Sequence, residues 1–377
     1  MLGYLVVSLR FLGVDPGTKS FDVCCFEDDV DNVVLDISIP SEEVAMSPDE
    51  IFKAIKSANA DFIVGPSGYG LEFKHISKFT DRDVALTTLD KIDDVDIPVL
   101  KGLRRLLWLM KEANLNAYSI PGIIQLPTIP LHRKFNKIDM GTADKTCVAA
   151  LAIWDQAREY SINYSDVNLI CVEIGFGYNA AIAIENGKIV DGIGGTIFPG
   201  PGYLTLSLMD GELAYLLGNF SKLKLFQGGA AWIASKDIID PIDFSMKIDL
   251  DEKFKLAWNA MLEGILKAVS MELIVLDSRP REVIVTGRLS RVDRLFKDIK
   301  TAIHRKFNLN TRRPKTFTKI AKDVAQGAAL IANGIGNGKY KNLTDNLDIR
   351  NAKGTVLDYI GFPDFNVDYV VKNLRSS

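Results

Sequence analysis

An α/β fold of two lobes built on one plan, with a cleft between them, is what this sequence predicts, and three observations carry the prediction. The chain twice lays down a meander of short strands and follows it with helices, first from Phe11 and again from Leu169. Each meander contains a turn in which an acidic residue at a strand end is followed by glycine: Asp15-Pro16-Gly17-Thr18-Lys19 in the first and Glu173-Ile174-Gly175-Phe176-Gly177 in the second. Two stretches rich in small residues, 142–159 and 322–333, have helical spacing and the right places to run between the lobes.

In chain order, residues 11–14 and 21–26 are apolar arms around a Pro-Gly turn, which reads as strand, turn, strand, and 33–39 supplies a third strand. Ser47-Pro48-Asp49-Glu50 places a cap, a first-turn proline and acids ahead of a helical apolar pattern. Residues 60–65 then form a buried strand ending in the loop Pro66-Ser67-Gly68-Tyr69-Gly70. Strand after helix implies a parallel crossover. A strong helix over 100–114 and a proline-punctuated connection over 121–130 lead to the 142–159 helix. The second meander comprises 169–174, 180–185 and 189–194, with Asn186-Gly187 as a hairpin turn. Helices beyond Gly202, one of them long and lying within 253–276, precede a strand at 283–286 and a helix from Ser290. LHRKFNK at 131–137 and IHRKFNL at 303–309 nearly coincide, but seven residues cannot define an architectural repeat and the match is taken as coincidence.

A chain of 377 residues that is 47% hydrophobic and 25% charged is in the range where one core divides into two. Lys+Arg 45 against Asp+Glu 48 leaves a formal charge of −3, too balanced for a protein that coats phosphate backbones, so a small-molecule partner and no nucleic acid is expected. Cys24, Cys25, Cys147 and Cys171 lack metal or redox spacing and read as reduced, buried thiols of a cytoplasmic protein. The opening MLGYLVVSLRFLGV resembles a signal peptide only superficially, since Arg10 interrupts it, and no segment has the roughly 18 uninterrupted apolar residues of a membrane helix. A soluble protein without a membrane partner is expected.

The chemistry concentrates in the turns. Glycine at 17, 175 and 177 lets backbone N–H groups approach a phosphate, and carboxylates at Asp15 and Glu173 suit the water shell of Mg²⁺. Either turn alone is also an ordinary hairpin; an acid-then-glycine turn used twice is what clamping a triphosphate from both sides requires. A third element, Val283-Ile284-Val285-Thr286-Gly287-Arg288-Leu289-Ser290, runs from an apolar strand into glycine and a helix, with Ser290 and Asp293 at capping-box spacing, and would let a planar base lie on bare backbone.

These three elements, in this order, resemble the phosphate-1, phosphate-2 and adenosine motifs of the actin, heat-shock ATPase and sugar-kinase superfamily, and the two small-residue helices resemble its interlobe connectors. The resemblance covers about residues 10–335 and implies two duplicated ribonuclease-H-like lobes with an interlobe nucleotide cleft that binds ATP and Mg²⁺. Within the superfamily the chain looks most like the acetate and butyrate kinase branch, particularly an archaeal group of predicted butyrate kinases, on both turns, on the Gly194–Gly202 segment with Gly195 and Thr196, and on Asp210-Gly211-Glu212. Two departures stand out. Arg288 occupies a place where those kinases carry a second glycine, and the arginines flanking the transferred phosphoryl have no certain equivalents beyond the candidate Arg133.

The stretch 132–145 resembles the Gly-x-Asp-Arg lead-in of type III pantothenate kinases, whose aspartate faces the acceptor hydroxyl. Thr142 is placed to cap the connecting helix, with Asp144 and Lys145 in its first turn. A helix cap and a solvated basic face would look the same. The expected organisation is an N-terminal lobe over 1–141 with the first turn and the acceptor side, a connecting helix over 142–160, a C-terminal lobe over 161–320, a returning helix over 321–336, and a peripheral tail over 337–377.

The expected activity is ATP-dependent phosphorylation of a short-chain carboxylate to an acyl phosphate, or its reverse. Asp15 and Glu173 would hold Mg²⁺ through water; Gly17, Thr18, Lys19, Gly175 and Gly177 would bind phosphates; Gly195 and Thr196 would flank them; Gly287 and Arg288 would face adenosine. Arg133 and Lys145 would neutralise the transferred group, while Asp144, or Asp139 in its stead, would serve as base for a hydroxyl acceptor. The alternative is an ATP-gated switch of the same fold that acts on a protein partner. A homodimer is compatible with either.

Overall fold

Residues 11–15 and 21–26 are buried at every position, as suits strands covered on both faces. The computed structural model describes residues 8–377, so the opening stretch of the chain falls largely outside it. The first sheet is built from β1 (Arg10–Pro16), β2 (Ser20–Glu27), β3 (Val33–Pro40), β4 (Phe62–Val64), β5 (Lys74–His75) and β6 (Ala117–Ser119), in the order β3-β2-β1-β4-β6-β5. The second uses β7 (Leu169–Ile174), β8 (Asn179–Glu185), β9 (Lys188–Ile193), β10 (Glu282–Thr286) and β11 (Asn310–Arg312). Read from its meander, it has the order β9-β8-β7-β10-β11.

The duplication is complete at the level of pairing. In each sheet the three meander strands are antiparallel, and the first of them pairs in parallel with a later strand that in turn pairs in parallel with another, β1-β4-β6 in the first sheet and β7-β10-β11 in the second. The extra strand β5 closes the first sheet antiparallel to β6. The Asn-Gly dipeptide makes the tight turn between β8 and β9 with both residues left-handed, φ 52° at Asn186 and 66° at Gly187.

Alternation along β7 divides the interior. Leu169 and Cys171 join the core shared with the first sheet and both connector helices, whereas Ile170, Val172 and Ile174 face a second core under the helices Glu252–Ile274 and Asp293–Phe307. The connecting helix, Ala143–Tyr160, is therefore buried along most of its length. Against it and against β1 lies the returning helix, Asp323–Ile335, every residue of which is buried.

Small residues make this crossing possible. A Cβ at Gly327 would stand 1.8 Å from the Cys147 carbonyl oxygen of the connecting helix, and one at Gly13 of β1 would stand 2.2 Å from that of Ala325. Overpacking such a contact forces backbones apart. Gly327→Val is expected to lower the unfolding free energy by about 3 kcal/mol, read as the midpoint shift in a denaturant titration; an unchanged midpoint would contradict backbone-to-backbone packing here.

The tail departs from expectation. Tyr340, Leu343, Leu347, Ile349, Val356 and Leu357 are buried in the first core, and the end of the chain is tied to the helix Pro98–Glu112. There the Trp108 indole N–H donates to the Ser376 carbonyl at 2.8 Å and the Arg104 guanidinium donates to that of Ser377 at 3.2 Å. Apolar residues spaced among many polar ones concealed this in the sequence. The two LHRKFNK-like segments differ in structure: one forms the short helix Leu131–Lys134, the other ends the helix Asp293–Phe307.

Candidate active site

The two acid-glycine turns share one geometry. In the first, Gly17 N–H donates to the Ser20 carbonyl at 3.1 Å; in the second, Gly175 N–H donates to that of Tyr178 at 3.0 Å. A Cβ would come within 2.8 Å of the Ser20 oxygen at Gly17 and within 2.4 Å of the Tyr178 oxygen at Gly175, so both turns are backbone-only there. They also meet across the cleft. A Cβ at Gly177 would lie 3.2 Å from Thr18 Oγ1, and the Lys19 ammonium stands 5.4 Å from the Phe176 ring centroid.

Behind each turn a lysine neutralises a pair of carboxylates. Lys322, at the start of the returning helix, pairs with Asp22 and lies 3.7 Å from Asp15. Lys145 lies 2.5 Å from Asp144 and 2.7 Å from Glu173. Burial raises the Asp15 carboxyl far above the usual carboxylate range, to about 8, against the pull of Lys322. Burial likewise raises Glu173, with Lys145 pulling the other way; the Lys145 ammonium, although desolvated, is held strongly protonated by Asp144 and Glu173. Lys322 escaped the sequence reading, though a Lys-Asp pair opening an otherwise uncharged helix was the available signal.

The third element closes the site from the second lobe. Gly287 takes φ +85°, which no side chain adopts comfortably, and its Cβ would sit 2.6 Å from the Ile174 carbonyl oxygen, locking β10 against the second turn. Its N–H donates to Asp323 at 3.0 Å, and Arg291 adds a 3.4 Å ion pair to the same carboxylate. The capping box is not formed: Ser290 Oγ donates to the Gly287 carbonyl at 2.7 Å, and the helix begins after Val292 without a side-chain cap. Arg288 crosses the cleft to donate to Ser20 Oγ at 3.2 Å.

Both turns, Gly287, Arg288, Lys322 and Asp323 line one cavity of about 230 Å³ between the lobes, together with Asp139, Asp144, Lys145, Gly195 and Thr196. Gly65 to Tyr69, the loop after β4, contributes one wall. Three of the residues singled out in the sequence are held by other bonds. Arg133 lies outside the cavity, half-buried on the short helix Leu131–Lys134, where its guanidinium donates to the Val190 carbonyl at 2.7 Å and to that of Val275 at 3.4 Å. Asp139 lines the cavity but is held by structural bonds: it accepts from Gly141 N–H at 3.1 Å and from Thr196 N–H and Oγ1 at 2.9 and 3.0 Å, and so anchors the Gly195–Ile197 turn. Asp210 caps the exposed helix Gly211–Leu217 away from the cavity, accepting from Glu212 N–H at 2.8 Å. Thr142 precedes the connecting helix as expected, but its hydroxyl binds Asp144 in place of the backbone.

The site fits a phosphate chain. Glycine backbone is bare where both turns meet, and Lys19 and Arg288 have no carboxylate partner among the described residues. Its acids do not form a metal cage, since no group of three or more His, Cys, Asp or Glu among the described residues is arranged to hold an ion. A Mg²⁺ there would need phosphate oxygens and water as its other ligands, which is its common habit.

Two like lobes, paired turns and a helix-crossed hinge define a protein of the two-lobed actin-like ATPase and acetate kinase fold. The chain belongs to the family described as protein of unknown function DUF1464, whose model matches residues 13–362. Among solved structures it is similar to a propionate kinase from Francisella tularensis, at 14% identity and TM-score 0.61 over 85% of this chain and 98% of that one. Porphyromonas gingivalis acetate kinase matches at 13% and 0.61 over 87% and 99%, and the acetate kinase of Entamoeba histolytica at 14% and 0.54 over 79% and 90%. At such identities the likeness is one of fold. No helix among the described residues is long and apolar enough to cross a membrane.

Proposed function

We propose that this protein is an ATP-dependent phosphotransferase acting on a small molecule held between its lobes. The observation that carries the reading is the pair of equivalent acid-glycine turns, in contact at Thr18 and Gly177, bracketing a cavity into which Asp144 and Lys145 also project. Phosphoryl transfer asks a protein mainly for positioning and charge neutralisation. Gly17, Gly175 and Gly177 offer backbone to phosphates, Lys19 and Arg288 offer uncompensated positive charge, Gly287 faces adenosine, and Asp15 and Glu173 hold Mg²⁺ through water. Bound magnesium supplies further neutralisation of the phosphate chain. Lys145, once a phosphate competes with Asp144 and Glu173 for it, takes the role first assigned jointly to Arg133.

For the acceptor, a short-chain carboxylate follows the acetate and propionate kinases that share the fold. A hydroxyl acceptor is the second reading, favoured by Asp144 lining the cavity while Arg133 does not. All four cysteines are free and buried, which suits a reducing compartment and hence the cytoplasm.

The test is direct. A ligand that binds only the native state adds RT ln(1 + [L]/Kd), about 2.7 kcal/mol at a hundredfold excess, so Mg-ATP is expected to raise the melting temperature. Asp15→Asn should abolish the Mg²⁺-dependent part of that rise and leave the ligand-free protein nearly unchanged. An ADP-release screen across short-chain carboxylates, hydroxy acids, pantothenate-like alcohols and sugars then names the acceptor. No shift with ATP, ADP or GTP would end the reading, and tight ATP binding without any acceptor-dependent ADP release would favour the protein-directed switch.

A further inference from the structure

The cavity lining mixes two characters: the turns bring charge, whereas Val99, Leu100 and Leu103 of the helix Pro98–Glu112, with Ile120, Tyr69 and Phe226, make an apolar wall. One cation enters that wall. Lys222 comes from the second lobe, at the head of the short helix Lys222–Phe226, and reaches across to the first. Asp94 holds the segment in place by accepting from Ser221 Oγ and, at 2.6 Å, from Lys222 N–H. The ammonium donates to the Thr88 and Leu89 carbonyls at 2.6 and 3.1 Å, capping the end of the helix Asp81–Thr88, and stands 4.9 Å from the Tyr69 ring centroid.

This uses two of the three N–H donors of an ammonium, and no acidic side chain among the described residues pairs with it. The acids around it do not touch it: Asp90 uses one oxygen on Arg104 at 3.2 Å and Arg375 at 3.9 Å and leaves the other without a partner, Asp94 is bound to Ser221 and the Lys222 backbone, and Asp139 to Thr196. Arg104, a second cation close by, further disfavours an unpaired charge. A buried cation that no carboxylate touches, with acids acting on it only from a distance, is incompletely compensated until an anion arrives. We propose that Lys222 anchors a carboxylate group of the acceptor, whose short apolar body lies on Val99, Leu100, Leu103 and Phe226. The assignment takes the acceptor side of the cavity from the phosphotransferase reading, and it makes the acceptor a small organic acid.

Protonation gives an independent handle. Burial lowers the free Lys222 ammonium to about 8, while Asp90, Asp139 and Asp94 oppose the shift and Arg104 adds to it. A bound carboxylate favours the charged form, so binding is at full strength below pH 8 and requires proton uptake above it. Affinity for the acid should then fall about tenfold per pH unit on the alkaline side.

The experiment is calorimetric titration of the full chain, with and without Mg-ATP, by propionate, butyrate and 3-hydroxybutyrate and by the corresponding neutral amides. The acids are expected to bind at least about tenfold more tightly than the amides. Lys222→Met should bring the acids down to the amide level and leave the Mg-ATP thermal shift intact. Lys222→Arg, always charged, should keep the preference and lose its decline above pH 8. Acids and amides binding alike, whether well or not at all, would overturn the proposal, as would a preference surviving in Lys222→Met. The wild-type comparison and the Lys222→Arg pH profile decide the matter even where the methionine variant fails to fold. Acid preference without any Mg-ATP shift or ADP release would sink the phosphotransferase reading and leave the anchor standing, whereas the reverse pattern would sink the anchor alone.

Discussion

With a hydroxyl acceptor, replacing Asp144 by asparagine should lower kcat between 10²- and 10⁴-fold with little change in KM for ATP, the usual scale of a lost general base. The structure supplies the reason for choosing this carboxylate. It stands in the first turn of the buried connecting helix, lines the cavity, keeps 29% of its side chain exposed, and has one oxygen on the Thr142 hydroxyl and the other on Lys145. An asparagine preserves shape and removes basicity. With a carboxylate acceptor, already ionised at neutral pH, the same change should cost far less. Arg133→Ala now separates from it: bound to the Val190 carbonyl outside the cavity, Arg133 should be dispensable for turnover with either acceptor. Full activity in Asp144→Asn with an identified hydroxyl acceptor would remove the residue from the chemistry.

Lys145→Met should destabilise the protein by about 3–5 kcal/mol, because deleting one partner of a buried pair strands the other. The side chains of Lys145 and Glu173 are only 10% and 11% exposed, and their atoms lie 2.7 Å apart. Burial already raises Glu173; without the ammonium it rises further, so the native variant holds a proton that the unfolded chain has released. Stability then falls with rising pH from about 4.3, where an unfolded glutamate titrates, up through the folded value. Denaturant titrations at pH 5 and pH 8 should therefore show a larger penalty at pH 8, and Glu173→Gln in the same background should recover much of it. Equal penalties at both pH values, or a loss below about 1 kcal/mol, would mean that the pair is not buried as described.

Much of this was legible because it is written locally. The meanders, the Asn-Gly hairpin and the connector helices depend on residue types within a few positions of one another, and the repeated acid-glycine turn marks both halves of the site without knowledge of their partners. The tightness of the helix crossing was also foreseeable, since Gly327 and the alanines beside it leave no bulk to keep backbones apart. Other features were not. The helix Ser41–Met46 gave no clear periodic signal, and the tail hid its core residues among polar ones.

The sequence by itself determined the fold class, the duplication and the location of the paired acid-glycine turns, since short-range propensity and patterning specify these. Only the tertiary structure decided which charges share the cavity. Arg133 and Asp139, both close in sequence to Asp144, are turned to structural bonds, while Lys322 and Lys222, 178 and 78 residues beyond Asp144 in the numbering, arrive in the cavity. The physical reason is that an ionic side chain in an interior goes where long-range packing offers a partner of opposite sign or a carbonyl to satisfy it, and proximity along the chain does not encode that partner.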